Sequence, residues 1–181
     1  MDMDSSASLS DLLSRVVIRH LEEADLPALE WNGEFRHFRK VYENAYVRML
    51  TGKLTAWVVV LPPEGVIGQA FVQFICDRPE LANGTDRAYM YSIRIKPNYR
   101  SLGIGTMLMA ALEKELYNRG VRIATLNVAK DNPRAQQLYE KLGFTVTAHE
   151  PGVWSYPDEN GTWHKVEQPA WRMEKTLVAE S

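Results

Sequence analysis

Apolar residues recur along this chain with two different periods, and each change of period marks a predicted element. Alternating or β-branched apolar runs predict strands at 15–21, 54–61, 66–75, 88–96, 121–128, 144–150 and 170–177. Apolar residues three and four positions apart predict helices at 35–50, 104–119 and 133–142, and a short helix is expected within 22–32. Residues 154–166 predict an additional hairpin that turns at Asn160 and Gly161.

The predicted order is β, α, α, β, β, β, α, β, α, β, β, with the additional hairpin before the last strand. Because hairpins alternate with strand–helix–strand crossovers, we expect an α/β (mixed α+β) fold with a central, mostly antiparallel mixed sheet flanked by helices. A length of 181 residues fits one domain, which we place at 15–178. The acidic, Ser-rich residues 1–14 are expected to form a flexible N-terminal tail.

Composition and charge exclude several classes of function. The chain has 21 Lys and Arg against 23 Asp and Glu, so no basic surface for nucleic acid is expected. The longest strongly apolar run, at 56–61, is far shorter than the ~20 residues that cross a bilayer, so we expect no membrane association. Cys76 is the only cysteine. It is expected to be a buried structural thiol in a reducing, cytoplasmic setting.

The predicted strand at 88–96 alternates strictly. This pattern places Tyr89, Tyr91, Ile93 and Ile95 on one face and Met90, Ser92, Arg94 and Lys96 on the other. The segment YRSLGIGTM, residues 99–107, then joins this strand to the helix at 104–119.

The glycines of this segment suit a phosphate-binding turn. Gly103 and Gly105 carry no Cβ, so backbone amides there can approach a ligand closely. The N-terminus of the following helix adds unpaired N–H groups and a positive dipole end, which favour an anion. Arg100 stands at the mouth of the turn, with Lys96 nearby. These residues alone leave two alternatives, a pyrophosphate cradle and a tight turn that binds nothing.

Two common nucleotide motifs do not match this turn. A dinucleotide fingerprint needs a third glycine, where Leu108 stands, and an acid at the end of the next strand, where Asn127 and Val128 stand. A P-loop needs Gly-Lys-Ser/Thr, which does not follow here. A nucleotide-dependent oxidoreductase is therefore disfavoured.

Two motifs together resemble the GNAT superfamily of N-acetyltransferases. Arg100, Gly103 and Gly105, preceded by Pro97, match its acetyl-coenzyme A motif, Arg/Gln-x-x-Gly-x-Gly/Ala. The second signature, Asn-x-x-Ala-x-x-Leu-Tyr-x-x-x-Gly-Phe, matches Asn132, Ala135, Leu138, Tyr139, Gly143 and Phe144. The resemblance extends from residue 15 to about residue 177, is strongest over 90–144, and implies a GNAT-like acyl-CoA N-acyltransferase fold.

The resemblance also implies roles for individual residues, with acetyl-CoA as donor, an amine as acceptor and no metal. The backbone of Ile93, Arg94 and Ile95 would pair with the pantetheine arm like an added strand. The pyrophosphate would be held by the amides of Arg100, Ser101, Leu102, Gly103, Ile104, Gly105 and Thr106. Asn132 would contact the cofactor arm while capping a helix, and Tyr139 would protonate the departing thiolate. Homodimers are frequent in the family, so a homodimer is an expected assembly.

The general base is not identified by the resemblance. Many family members carry a Glu or His on the strand at 88–96, which here offers only Tyr89, Tyr91 and Ser92. Candidates elsewhere are Glu34, His37, His149 and Glu150. Keeping a lysine-like amine neutral at pH 7 costs about 4.6 kcal/mol, whereas an α-amine costs only about 1 kcal/mol. The missing base therefore favours either an acceptor of lower pKa or a base supplied from elsewhere in the chain.

The predicted function is direct acetyl transfer from acetyl-CoA to a primary amine that the sequence does not identify. The alternative is a catalytically silent acyl-CoA-binding module that regulates a partner. Trp154, Tyr156 and Trp163 of the additional hairpin either cover an acceptor pocket or pack against the sheet or a partner subunit.

Overall fold

The fold is a mixed sheet with helices on both faces, seen in a computed structural model that describes residues 3–180. Its helices are α1 (Met3–Arg15), α2 (Arg39–Leu50), α3 (Ile104–Asn118) and α4 (Pro133–Lys141). Its strands are β1 (Val17–His20), β2 (Leu54–Leu61), β3 (Gly65–Gln73), β4 (Arg87–Ile95), β5 (Ile123–Ala129), β6 (Thr145–Glu150), β7 (Val153–Pro157), β8 (Trp163–Glu167) and β9 (Ala170–Thr176). Short 3-10 segments occupy Glu23–Gly33, Arg36–Phe38 and Pro97–Tyr99.

The main sheet has the strand order β1-β2-β3-β4-β5-β9-β6, and β7 and β8 form a separate hairpin. The β4–β5 pair is parallel and the other pairs in the sheet are antiparallel. The predicted mixed, mostly antiparallel sheet is therefore confirmed.

The N-terminal segment differs from the prediction. Residues 1–2 of the expected tail lie outside the described residues, and from Met3 onward the backbone forms α1 instead of irregular chain. Leu12 and Leu13 pack against the core, and Arg15 donates a 2.8 Å hydrogen bond to the Pro62 carbonyl. Composition alone does not reveal these contacts, because their partners lie far along the chain.

Each face of the sheet carries its own hydrophobic cluster. On what we call the α3 face, α3 and α4 pack against the sheet through buried residues such as Ile104, Leu108 and Tyr139. On the opposite side, the α2 face, α2 and the segment Glu23–Gly33 cover residues such as Val58 and Phe71.

β4 and β5 pair over only the first part of their length. Their register begins at Arg87↔Ile123 and ends at Met90↔Leu126, although β4 continues to Ile95 and β5 to Ala129. Residues 91–95 of β4 therefore have no strand partner on the β5 side. We refer to the opening between the two strands as the gap.

A β-bulge at Ser92 reverses the predicted faces of the last residues of β4. Tyr91 pairs with Phe71 and Arg94 with Gln69, so two residues of β4 lie opposite one of β3. Ser92 has the positive φ of 52° that this irregularity requires. The extra residue shifts the alternation by one position. Arg94 consequently shares the α2 face with Tyr91.

The predicted grouping of Ile93 and Ile95 with Tyr91 is therefore wrong. Both isoleucines pack against the cluster on the α3 face, together with Met90, whereas Tyr91 packs against the cluster on the α2 face.

Candidate functional site

The turn between β4 and α3 presents a run of unpaired backbone amides. Arg100 N donates to Pro97 O at 3.3 Å, and the next amide with a protein acceptor is Met107 N, which donates to Gly103 O at 3.1 Å. The N–H groups of residues 101–106 have no acceptor within the described chain. Gly103, the N-cap of α3, has a φ of 90°. A Cβ placed there would meet no protein atom within 4 Å. Free amides, open space and the positive end of α3 together suit an anion.

Two arginines hold this turn. Arg100 Nε donates to the Ile95 carbonyl at 2.8 Å, so the predicted mouth residue also ties the turn to the end of β4. Arg134 Nη2 donates to Ser101 Oγ at 2.6 Å, and Ser101 has a positive φ of 61°. Sequence reasoning missed Arg134, because only the folded chain brings the first turn of α4 next to the glycine-rich turn. Its basic side chain beside Asn132 in the second motif was the available signal.

The backbone of Ile93, Arg94 and Ile95 borders the gap on the side that β5 leaves free. A free strand edge can accept an extended ligand as an additional strand. The predicted pantetheine-binding residues and the predicted amide turn are thus continuous, and Arg100 bridges them at Ile95.

Asn132 has a capping role in the structure. It is the N-cap of α4, and its side-chain oxygen accepts from Ala135 N at 3.2 Å. The side chain is exposed, and its amide nitrogen has no acceptor within residues 3–180. Contact with the cofactor arm stays a prediction.

Tyr139 is a buried phenol next to the amide turn. It is 8% exposed and packs edge-on against Phe144, with ring centroids 6.0 Å apart. Its neighbour Leu138 lies 3.6 Å from where a Cβ on Gly105 would be, which brings α4 against the start of α3. Burial raises the pKa of Tyr139 to about 12, and its hydroxyl has no hydrogen-bond partner among the described side chains. At neutral pH Tyr139 therefore carries a hydroxyl proton that is not hydrogen-bonded to any described protein group.

Glu150 is occupied by an ion-pair network. It is 4% exposed and accepts from Arg78 through both oxygens, at 2.8 and 3.0 Å. Arg172 adds a third contact at 3.4 Å. Both oxygens of Glu150 are therefore occupied by arginine contacts, and this candidate base is disfavoured.

The tyrosines of β4 are disfavoured as bases as well. Burial raises the pKa of Tyr89 and of Tyr91 to about 12, so both are neutral at pH 7. Of the remaining candidates, His149 packs against Trp171 at 6.2 Å between ring centroids. Glu34 donates its backbone N–H to Trp31 O at 3.4 Å, and no side-chain contact ties it to the gap.

His37 belongs to an aromatic cluster on the α2 face. Its ring centroid lies 4.2 Å from that of Phe38 and 5.9 Å from that of Tyr156. Phe38 in turn lies 4.9 Å from Tyr156 and 6.0 Å from Trp154. Two of the three predicted hairpin aromatics therefore join this cluster, whereas Trp163 is 69% exposed.

The α2 face near the gap also carries buried polar atoms that the protein leaves unpaired. They are Gln69 Oε1 on β3, Asn127 Oδ1 on β5 and Arg172 Nε on β9. Asn127 and Arg172 are direct cross-strand neighbours, and Gln69 pairs in register with Arg94. Unpaired buried polar groups are unfavourable unless a ligand or water satisfies them. This face therefore has the polar lining that a bound ligand would complete.

Two structural properties of residues 3–180 concern metal-ligand clusters and membrane-spanning helices. No three His, Cys, Asp or Glu side chains of this part are grouped so that they could hold a metal ion. None of its helices combines the length and the apolar character that a bilayer crossing requires.

Comparison with known proteins places the chain in a family. The model of the acetyltransferase (GNAT) family matches residues 9–144, and the chain therefore belongs to this family. Over 59 residues it is 41% identical to the [ribosomal protein bS18]-alanine N-acetyltransferase of Escherichia coli K12, a match that covers 33% of this chain and 40% of the relative. The chain thus spans less than half the length of that curated relative.

Solved structures support the same fold. The crystal structure of the ribosomal-protein-S18-alanine N-acetyltransferase from Escherichia coli gives a TM-score of 0.66 at 23% identity, with 92% of this chain and 96% of that chain covered. The spermidine/spermine N-acetyltransferase SpeG from Vibrio cholerae gives 0.67 at 21% identity, with 91% and 94% covered. The predicted GNAT-like fold is confirmed.

Proposed function

We propose that this protein, through a domain at 15–178, transfers an acetyl group from acetyl-CoA to a primary amine. The observation that carries the proposal is the run of unpaired amides at residues 101–106, at the positive end of α3 and next to the free edge of β4. Membership of the GNAT family supports it, as does the activity named for the relatives.

The residues present fit acetyl-CoA. A diphosphate needs several N–H donors and positive charge, and the turn offers free amides, the dipole of α3 and the guanidinium groups of Arg100 and Arg134. A pantetheine arm carries amides that can pair with the edge of β4 at Ile93, Arg94 and Ile95. When bound, acetyl-CoA supplies a thioester that is activated for acyl transfer.

The protein then has to orient the amine, stabilise the charge that develops on the acetyl oxygen and protonate the departing sulfur. The amine nitrogen bonds to the acetyl carbon, the carbon–sulfur bond breaks, the amine releases a proton to solvent and the sulfur gains one from Tyr139, which is reprotonated from solvent. A backbone N–H near Ile95 on the gap side would stabilise negative charge on the acetyl oxygen. Tyr139 supplies the proton for the sulfur, which its raised pKa keeps available at neutral pH.

The acceptor that needs least help is an amine of low pKa. Glu150 is paired with arginines, and Tyr89 and Tyr91 stay neutral, so none of these groups offers strong base catalysis. An α-amine reaches its neutral form for about 1 kcal/mol at pH 7. We therefore propose direct attack by an amine of this kind, without a covalent enzyme intermediate.

The silent acyl-CoA-binding module is the second candidate, favoured by the same shortage of a free base. For both candidates we propose a cytoplasmic location. Cys76 is a free thiol, half-buried where full burial was predicted, and a free thiol is compatible with a reducing compartment. A homodimer is proposed from family membership.

Release of the coenzyme A thiol, followed with a chromogenic thiol reagent, tests the proposal. The panel contains amino acids, peptides with free N-termini, lysine-like amines and spermidine. We expect acceptor-dependent release, with acetyl-CoA bound in calorimetry. Binding without release from any amine would favour the silent module, and absence of binding would reject both candidates.

A further inference from the structure

Arg94 is the exception among the arginines of the strands. In the described chain, the strand arginines form the ion pairs Arg19–Asp25 at 2.8 Å, Arg87–Glu174 at 2.7 Å and Arg172–Glu150 at 3.4 Å. Arg94 is half-buried, and no carboxylate of residues 3–180 forms an ion pair with it. Because a partly desolvated charge is unfavourable without a counter-charge, the missing partner is expected to come from outside the chain.

The surrounding side chains hold the Arg94 guanidinium in one orientation. Its Nη1 donates to the Tyr42 hydroxyl at 2.7 Å and to Ser92 Oγ at 3.4 Å. Its Cζ lies 4.3 Å from the ring centroid of Phe35 and 5.3 Å from that of Phe38. No described residue accepts from Nε or Nη2. These two nitrogens form the side of a guanidinium that binds a carboxylate through two parallel hydrogen bonds.

Tyr42 adds a further hydrogen-bond donor beside the Arg94 guanidinium. It is 2% exposed, and its oxygen accepts from Arg94. Its own hydroxyl proton has no acceptor in the described part of the chain. Arg39, which follows Phe38 in the chain, is neutralised by Glu30 through two hydrogen bonds of 2.8 Å. The surroundings of Arg94 therefore offer donors and positive charge without an opposing carboxylate.

Arg94 lies next to the place where the acetyl transfer is proposed to occur. Its backbone borders the gap, and the Ser92 bulge turns its side chain to the α2 face. On the α3 face, α3 and α4 cover the sheet through buried side chains such as Ile104 and Tyr139. Because the Arg94 side chain lies on the α2 face, a carboxylate that binds it would approach the gap from that face. A carboxylate held by Arg94 would lie about one side-chain length from the strand edge, which suits a small molecule that carries both groups.

We propose that Arg94, assisted by Tyr42, binds a carboxylate of the acceptor, and that the acceptor is a primary amine that also carries a carboxylate, such as a free amino acid. The inference rests on the proposed acetyltransferase function. The amine of a free amino acid is more basic than a peptide α-amine because of its own carboxylate, and pairing that carboxylate with Arg94 lowers the cost of the neutral amine. The balanced reaction converts the amino acid and acetyl-CoA into the N-acetyl amino acid, free coenzyme A and a proton. The uncompensated guanidinium also acts against polycationic acceptors such as spermidine.

Matched acceptors test the proposal. Thiol release is measured for amino acids, for their carboxamides, which keep the side chain but lose the charge, and for spermidine. Each rate is divided by the fraction of neutral amine at the assay pH, because loss of the carboxylate also lowers the pKa of the amine. Charge-assisted hydrogen bonds of this kind correspond to about a tenfold to hundredfold preference in kcat/KM for the amino acid. Arg94→Gln should bring this ratio close to one, mainly through a raised KM, and Tyr42→Phe should reduce it partly.

Arg19→Gln is the matched control, because it removes another half-buried strand arginine that is far from the gap and paired with Asp25. It should lower the melting temperature and leave the ratio unchanged. A wild-type protein that acetylates carboxamides or spermidine as efficiently as amino acids would overturn the proposal, as would an unchanged ratio in Arg94→Gln.

If no amine supports thiol release, binding replaces turnover as the readout. Calorimetry then compares an N-acetyl amino acid with its N-acetyl carboxamide on the wild type and on Arg94→Gln. A carboxylate preference that disappears in the variant supports the Arg94 site even though the acetyltransferase function has failed. Equal binding of the two compounds rejects it.

Discussion

Replacing Gly103 by alanine tests whether the amide turn binds the donor. Gly103 has a φ of 90°, so alanine would adopt a left-handed backbone that costs about 1–2 kcal/mol. Lower entropy of the unfolded chain offsets about 0.4–1 kcal/mol of this. The new methyl group meets no protein atom within 4 Å, so no clash is added. We expect the free energy of unfolding to fall by about 1 kcal/mol, which lowers the melting temperature by about 2–4 °C.

The effect on binding should be larger. The methyl group would occupy the open space beside the amides of residues 101–106, where the diphosphate is proposed to lie. Loss of one charge-assisted hydrogen bond costs about 1.5–3 kcal/mol, which weakens acetyl-CoA binding about tenfold to a hundredfold. Calorimetric titration with acetyl-CoA measures this change, and thermal unfolding measures the change in stability.

Gly120 offers a matched control at the other end of α3. It has a φ of 93° and likewise no protein atom within 4 Å of a Cβ, so Gly120→Ala introduces the same strain away from the turn. We expect the same loss of stability with unchanged affinity. If Gly103→Ala bound acetyl-CoA as tightly as Gly120→Ala does, the turn would not be the diphosphate site.

Three further predictions concern Tyr139 and Glu150. Tyr139→Phe should lower kcat about a hundredfold or more with acetyl-CoA affinity within threefold; unchanged thiol release would exclude Tyr139 as the acid. The pKa of Tyr139 is raised to about 12, so the folded state keeps this proton at a pH where the unfolded chain has lost it. Tyr139 should therefore contribute a stability loss of about 2–3 kcal/mol between about pH 10 and 12, and Tyr89 and Tyr91, whose pKa values are also about 12, should add losses of similar size; Tyr139→Phe should reduce the slope in urea unfolding by about a third, and an equal slope would contradict the assignment. Glu150→Gln should cost about 2–3 kcal/mol, because it leaves Arg78 without its buried partner. Glu167→Gln, in an exposed pair with Lys165, should cost less than about 1 kcal/mol; equal costs in chemical denaturation would show that burial of the pair contributes nothing.

Elements marked by local signals were predictable from the sequence. Asn132 and Pro133 indicated where α4 begins, and the structure has that helix at Pro133–Lys141 with Asn132 as its cap. Gly103 similarly marked the start of α3. Capping, helix periodicity and glycine positions depend on neighbouring residues only, so they can be recognised in a single chain.

The acceptor side was not predictable in the same way. The bulge at Ser92 depends on how β4 pairs with β3, and strict alternation in the sequence gives no sign of it. The sequence therefore predicted only a backbone role for Arg94 and placed its side chain on the wrong face. Its contacts with Tyr42 and Phe35 join segments about fifty residues apart, which no local pattern reports.

The two chain segments that connect the β7–β8 hairpin to the main sheet are in direct contact with each other. Gln168 N donates to Gly152 O at 3.0 Å, and a Cβ on Gly152 would lie 1.7 Å from Gln168 O. Two residues before Gly152 and two after Gln168, β6 and β9 pair at Glu150↔Ala170. Residues 153–167 therefore form a cassette whose length and sequence can change without altering the register of the sheet. Exchanging this cassette between relatives would replace the aromatic side chains that pack against Phe38 while the main sheet and the turn at 101–106 stay in place.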